Sequence, residues 1–157
     1  MSTIEIISKL TPKTQNYEGS GAVGVSDLTW QDILQALQGV DAGMTGFVLC
    51  VYGSDRQACH NFWAGLFMAA MDLPTVQVWS AARRHEGYHG AVKALSRLAV
   101  KEWTEGRDKW THQLRANEIG VSRGTWNRKY RDIYTRIVGI PGFWQDEVER
   151  ILKQRLT

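Results

Sequence analysis

A chain of 157 residues with 43% hydrophobic side chains has material for one domain or two small lobes around a real core, and is expected to fold by itself. No apolar run approaches the length that crosses a bilayer, and the opening MSTIEIISKL lacks the basic-then-apolar layout of a secretory leader. No membrane partner is therefore expected, and the expectation is a soluble cytoplasmic protein. The net charge of +3 conceals a division: residues 1–82 carry three basic and seven acidic side chains, a balance of −4, whereas residues 83–157 carry sixteen and nine, a balance of +7. Such a chain can turn one face toward a polyanion and another toward a different partner. Cys50 and Cys59 form no C-x-x-C pair, so they read as reduced core residues and not as a disulfide or a zinc site.

Residues 11–27, TPKTQNYEGSGAVGVSD, are rich in Gly, Ser and Thr without apolar periodicity, and residues 1–25 read as a flexible arm. Residues 26–157 then form a single α-helical domain. In LTWQDILQALQG, Thr29 can cap a helix with Asp32 three residues on, Trp30, Ile33, Leu34 and Leu37 share a face, and Gly39 ends it. MTGFVLCVY suits a short buried helix or a strand by length; helical neighbours favour the helix. Ser54 with Gln57 resembles a capping box for a core helix running to Met71 through Phe62, Trp63, Leu66, Phe67 and Ala70. Pro74 suits the first turn of a helix to about Arg84, and another spans Tyr88 to Glu105, with Val92, Leu95, Leu98, Ala99 and Glu102 or Trp103 on its buried side. Two helices fit 107–119 and 122–138, and Pro141 at a first turn starts a last one with Phe143, Trp144, Val148, Ile151 and Leu152 inward. The fold class is all-α, a bundle of about six to eight helices with no alternating strand pairs.

Within 107–138, Ala116, Ile119, Gly120 and Val121 meet the needs of a helix-turn-helix. A small residue sits where two helices would cross, a glycine can take a positive φ, and apolar residues flank the turn. Ser122 can cap the second helix, whose apolar stripe is Trp126, Tyr130, Ile133, Tyr134 and Ile137. Arg123, Asn127, Arg128 and Arg131 remain outside, with Thr125 and Lys129 beside them. Arg can hold guanine and Asn adenine bidentately, so these four are the candidates for base edges, while Lys109, Arg115 and Lys129 are candidates for phosphates. Residues 107–136 hold eight basic and three acidic side chains, so binding to double-stranded DNA would be strongly salt-dependent. Lys129 occupies a position where a recognition helix commonly has an aliphatic residue, and Trp126 is bulky for its slot, which points to an atypical crossing. The competing reading is an ordinary helical hairpin with solvated charges.

HEGYH at 85–89 matches H-E-x-x-H, in which two histidines one helical turn apart bind zinc and the glutamate activates water. The surroundings argue against it. Gly87 and Gly90 weaken the helix, Arg83 and Arg84 oppose a cation, and Glu102 and Glu105 lie about 20 Å further along the same helix. His112 could reach only if the following helix returned to that point. The stretch reads as a solvent-facing link, and no enzyme activity, metal or cofactor is expected; His60 and His112 read as surface or half-buried side chains.

The order of these segments resembles the Q-type late-gene antitermination proteins of lambda-like bacteriophages. KLTPKT stands before a polar arm, and SDLTWQDILQALQGVDAGMTGFVLCVYG is similar to that family's helix and small-residue-rich apolar segment. AVKALSRLAVKEW resembles its central helix, and VSRGTWNRKYRDIYTRIV with DEVERIL resembles its C-terminal end, including the pair Thr125 and Trp126. Lambda-type members carry cysteine pairs for zinc after the central helix, whereas this chain has the direct connection EWTEGRDKWTHQL and so resembles a zinc-less branch. The resemblance implies binding to a DNA element near a late promoter, loading onto bacterial RNA polymerase paused with its sigma factor, and read-through of pauses and terminators in the host cytoplasm. Residues 26–84 would be the core and polymerase-facing part, residues 107–138 the DNA-binding part. Self-association on DNA would suit repeated half-sites. A conventional repressor or activator is the alternative, and the zinc peptidase a remote one.

Overall fold

A computed structural model describes residues 29–82 and 88–156, and within them every regular element is helical. The elements are α1 (Trp30–Ala36), α2 (Ala42–Val51), α3 (Ala58–Met71), α4 (Pro74–Ala82), α5 (Tyr88–Glu105), a 3-10 turn (Arg107–Lys109), α6 (His112–Ile119), α7 (Arg123–Thr125), a π-helical turn (Trp126–Tyr130) and α8 (Arg131–Leu156). The proposed arm at 1–25 and most of HEGYH lie outside the described residues. Contacts group residues 29–62 with 143–156 as one compact unit and Trp63–Gly142 as another.

In the first unit, the Thr29–Asp32 capping box is present in both directions: Asp32 N–H donates to the Thr29 hydroxyl at 3.3 Å, and Thr29 N–H to the Asp32 carboxylate at 2.9 Å. MTGFVLCVY is helical up to Val51 as part of α2, which Asp41 caps by accepting from Gly43 and Met44 N–H. Gly46 lets α2 lie against the start of α3. A Cβ there would come within 2.6 Å of Phe62 N and 2.9 Å of Ala58 O, both backbone atoms. Phe47, Phe62 and Trp144 pack as an aromatic cluster with centroids 5.2–6.3 Å apart. Arg155 donates to the carbonyls of Ala36 and Gln38 at 2.6 and 2.9 Å, so a cation closes the C-terminal end of α1 where orphan carbonyls and the helix dipole both favour it.

Two expectations in this unit are corrected. Ser54 does not cap α3: it has φ +54°, the left-handed region, where a cap residue is extended. Asp55 supplies the cap, accepting from Gln57 and Ala58 N–H at 3.0 and 3.4 Å. Cys50 and Cys59 are not reduced core thiols but are joined as a disulfide. The turn between α2 and α3 reverses the chain within nine residues and brings their Cα atoms to 4.9 Å, inside bonding range. Cys50 is buried, but Cys59 is only half-buried.

In the second unit, α4 begins at Pro74 and α5 ends before Gly106, whose φ of +101° suits glycine. Val92, Leu95, Leu98 and Ala99 are buried on α5 as the periodicity predicts, and of the two alternatives Glu102 or Trp103 it is Glu102 that is buried. The single helix expected over 107–119 is instead a 3-10 turn followed by α6. Thr111 interrupts it by taking an extended conformation and accepting from Leu114 N–H at 3.2 Å. Pro141 does not start a helix; it lies inside α8, which runs unbroken from Arg131 to Leu156. A proline there lacks an N–H and crowds the preceding turn. The Trp103 indole N–H donates to the Val138 carbonyl at 3.0 Å, giving one carbonyl of that turn an outside donor.

Candidate nucleic-acid interface

The segment from Thr111 to Arg131 is built around a turn. α6 ends at Gly120, in the left-handed conformation at φ +82°, and the N–H groups of Gly120 and Val121 both return to the Ala116 carbonyl at 2.9 and 3.0 Å. Ser122 caps the next helix, its hydroxyl accepting from Thr125 N–H at 3.1 Å. Ala116 and Trp126 are fully buried, so the small residue and the bulky one both point into the angle between the helices.

Trp126 is accommodated by a change of helix type. From Trp126 to Tyr130 the chain is π-helical, and Arg131 N–H returns five residues to the Trp126 carbonyl. Such a turn spends more residues per revolution than an α-helix. In an α-helix every fourth residue drifts about 40° around the axis; the wider turn reduces that drift. Trp126, Tyr130 and Tyr134 stay on the inner side, with Trp126 centroids 6.4 and 5.3 Å from the two tyrosines. Arg123, Asn127 and Arg131 are all exposed, and the reduced drift brings their positions nearer to one line than a regular α-helix would.

A buried carboxylate fixes α5, α6 and the long helix together. Glu102 on α5 is 0% exposed. One oxygen accepts from Arg115 Nε on α6 at 2.6 Å, and the other accepts from the Tyr134 hydroxyl on α8. Arg115 also lies over the Tyr134 ring at 5.8 Å and reaches His112 Nδ1 at 3.3 Å. The same His112 nitrogen accepts from the Trp126 indole N–H at 3.1 Å, which requires a neutral ring with its proton on Nε2. Burial, then the charges of Arg131, Arg115 and Arg123, lower the His112 pKa and hold it in that form. Burial, followed by the Glu102 charge, pushes the Tyr134 phenol well above its ordinary range, so it stays a donor.

The candidate residues separate accordingly. Arg123, Asn127, Arg128 and Arg131 are exposed, as is Lys109 in the 3-10 turn. Arg128 Nε donates back to the Gly124 carbonyl at 3.3 Å. Thr125 is half-buried, and its hydroxyl accepts from the Ser122 hydroxyl at 3.0 Å. Lys129, in the slot where an aliphatic residue is common, is half-buried along an open groove of about 570 Å³ with Pro74, Val78 and Trp79 of α4. Arg115, expected on phosphates, is instead committed inward: its side chain is 14% exposed and bonded to Glu102. The sequence reading puts Glu102 or Trp103 on the buried side of α5 and His112 at the surface or half-buried, and gives neither Glu102 nor His112 a place in the interface, although a glutamate in register with Leu95, Leu98 and Ala99 is the signal that a cation must come to meet it.

His89, the last residue of HEGYH, lies exposed in the first turn of α5. Among the described residues no three His, Cys, Asp or Glu side chains gather as a metal site, and no helix is long and apolar enough to cross a membrane. Compared with protein-family models, curated proteins and solved structures, the chain matches none.

Proposed function

We propose that the chain is a sequence-specific DNA-binding regulator of transcription that uses α6, the Gly120 turn and the helix after it as a helix-turn-helix. The observation that carries this reading is the exposed row Arg123, Asn127 and Arg131, set by the π-helical turn and held from behind by the Glu102 network. Two guanidinium groups flanking an amide match guanine, adenine and guanine edges in a major groove. Lys109 and Arg128 stand at the margins, where phosphates run. Arg115 and Thr125 serve the framework and not the DNA.

Within that class, the resemblance to Q-type antiterminators supports a more definite role: binding near a phage late promoter, loading onto host RNA polymerase paused with its sigma factor, and suppression of pausing and termination. The charge division supports it too, since the acidic first half is suited to a protein surface and the basic second half to DNA. Transcription by purified polymerase across a terminator, with and without the protein, tests the role directly. Read-through that depends on an upstream DNA element supports it. DNA binding with no read-through leaves a promoter-occupying repressor or activator and removes the antiterminator.

A further inference from the structure

We infer that the Lys93–Arg97 edge of α5, with Trp63 and Phe67 of α3, binds a single nucleic-acid strand. Lys93, Arg97 and Lys101 follow one another at four-residue intervals, so each adjoins the next along α5. Like charges at that spacing repel, and the acidic side chains of α5 are the buried Glu102 and the terminal Glu105. Lys101 is relieved by Glu118 of α6 at 2.8 Å. A polyanion laid along the row would relieve Lys93 and Arg97.

Aromatic rings lie under the same cations. Trp63 and Phe67 stack one helical turn apart, centroids 6.2 Å apart and planes 18° from parallel. The Trp63 indole N–H donates to the Lys93 carbonyl at 3.2 Å, which fixes the ring against α5. The Arg97 guanidinium lies 4.8 Å over Trp63 and the Lys93 ammonium 5.6 Å over Phe67. Both cations are exposed and both rings half-buried. A guanidinium resting on an indole keeps its other flat face toward solvent, where a base can stack. Four residues of α-helix rise about 6 Å, comparable to the step between phosphates of an extended strand, so Lys93 and Arg97 can serve adjacent nucleotides. Alternating cations and rings are the recognition chemistry of a single strand and not of a duplex, whose bases are already stacked.

This edge is separate from the Arg123 row, and the inference does not rest on the helix-turn-helix reading. The test is fluorescence anisotropy of the full chain with short labelled oligo-dT and oligo-U strands, the two arms distinguishing DNA from RNA. Lys93→Gln and Arg97→Gln are each expected to weaken binding about tenfold, with unchanged thermal melting and unchanged duplex recognition, and Arg123→Ala to leave strand binding intact. Arg97→Lys keeps the charge and loses the flat face, so it should retain the salt dependence and lose much of the affinity. Full affinity of the Lys93→Gln/Arg97→Gln double variant, or of Arg97→Lys, overturns the inference. So does equally strong competition by duplex DNA, which would mean general phosphate attraction, or by polyglutamate, which would mean an acidic protein surface.

Discussion

Replacing Arg115 by alanine should cost more stability than removing Arg123, Arg128 or Arg131, because of what it leaves behind. Glu102 is 0% exposed, so its charge has no water to fall back on. Breaking a buried pair by removing one partner costs about 3–5 kcal/mol. Tyr134 continues to donate to Glu102, and the Arg115 side chain, 14% exposed, would leave a path for water, so a value near the lower end, about 3 kcal/mol, is expected. That is a large share of the roughly 5–15 kcal/mol that holds a domain folded. Urea denaturation followed by circular dichroism measures it. The triple variant Glu102→Leu, Arg115→Met and Tyr134→Phe removes the charge, its partner and the orphaned hydroxyl together, and should return to within about 1 kcal/mol of the parent. A loss below about 1 kcal/mol for Arg115→Ala, or a triple variant no more stable than it, would refute the reasoning. The same variant also decides Arg115's place relative to DNA. Measured well below its melting range, its salt dependence should equal the parent's, whereas loss of a phosphate contact lowers that slope by about one.

The other predictions are simpler. Arg123→Ala and Asn127→Ala should each weaken specific DNA binding in a gel-shift titration by about tenfold or more, with little change on random DNA; equal losses on both would sink the base-reading assignment. Gly46→Ala should destabilise by about 2 kcal/mol in urea, since the added Cβ meets backbone at 2.6 Å and the intrinsic helix preference for alanine, about 1 kcal/mol, cannot compensate. A more stable variant would show that α2 and α3 can part there freely. Reducing Cys50–Cys59, which closes a loop of nine residues, should cost about 2.5 kcal/mol by chain entropy; ready alkylation of both thiols in the unreduced native protein would contradict the pairing. The folded-state pKa of His112 lies below its unfolded value, so its neutral form stabilises the fold fully above the ordinary histidine pKa of about 6.5. Stability should fall as pH drops below that value, and His112→Ala should flatten this part of the profile measured by urea denaturation.

The helices were legible wherever burial imposed a period, as in α5, where Val92, Leu95, Leu98 and Ala99 all lie inside. The expectations that failed were set by competition between local groups. Ser54 and Asp55 are both able to cap; which one does so depends on where the chain must turn after Tyr52, and the left-handed Ser54 belongs to that turn. Pro141 reads as a helix start because a proline interior to a helix is costly, yet it is buried, as are Ile137, Val138, Ile140 and Trp144 around it. Continuous burial of that face outweighs one lost backbone bond, and Trp103, 35 residues earlier in the chain, supplies a donor to the disturbed turn. The pairing of Cys50 with Cys59 is not legible in the sequence for a similar reason: spacing alone does not tell whether a nine-residue connection reverses direction.

At the candidate interface the same logic sharpens what the sequence offered. The bulk of Trp126 and the cation at Lys129 were visible as departures from a usual recognition helix, and each has a physical counterpart. Trp126 is 0% exposed inside a π-helical turn, and Lys129 is half-buried along the α4 groove where an aliphatic side chain would pack. A regular α-helix would let the row Arg123, Asn127 and Arg131 wind away from a straight groove by about 40° at each step. The wide turn that makes room for the tryptophan therefore also straightens the face that would read DNA.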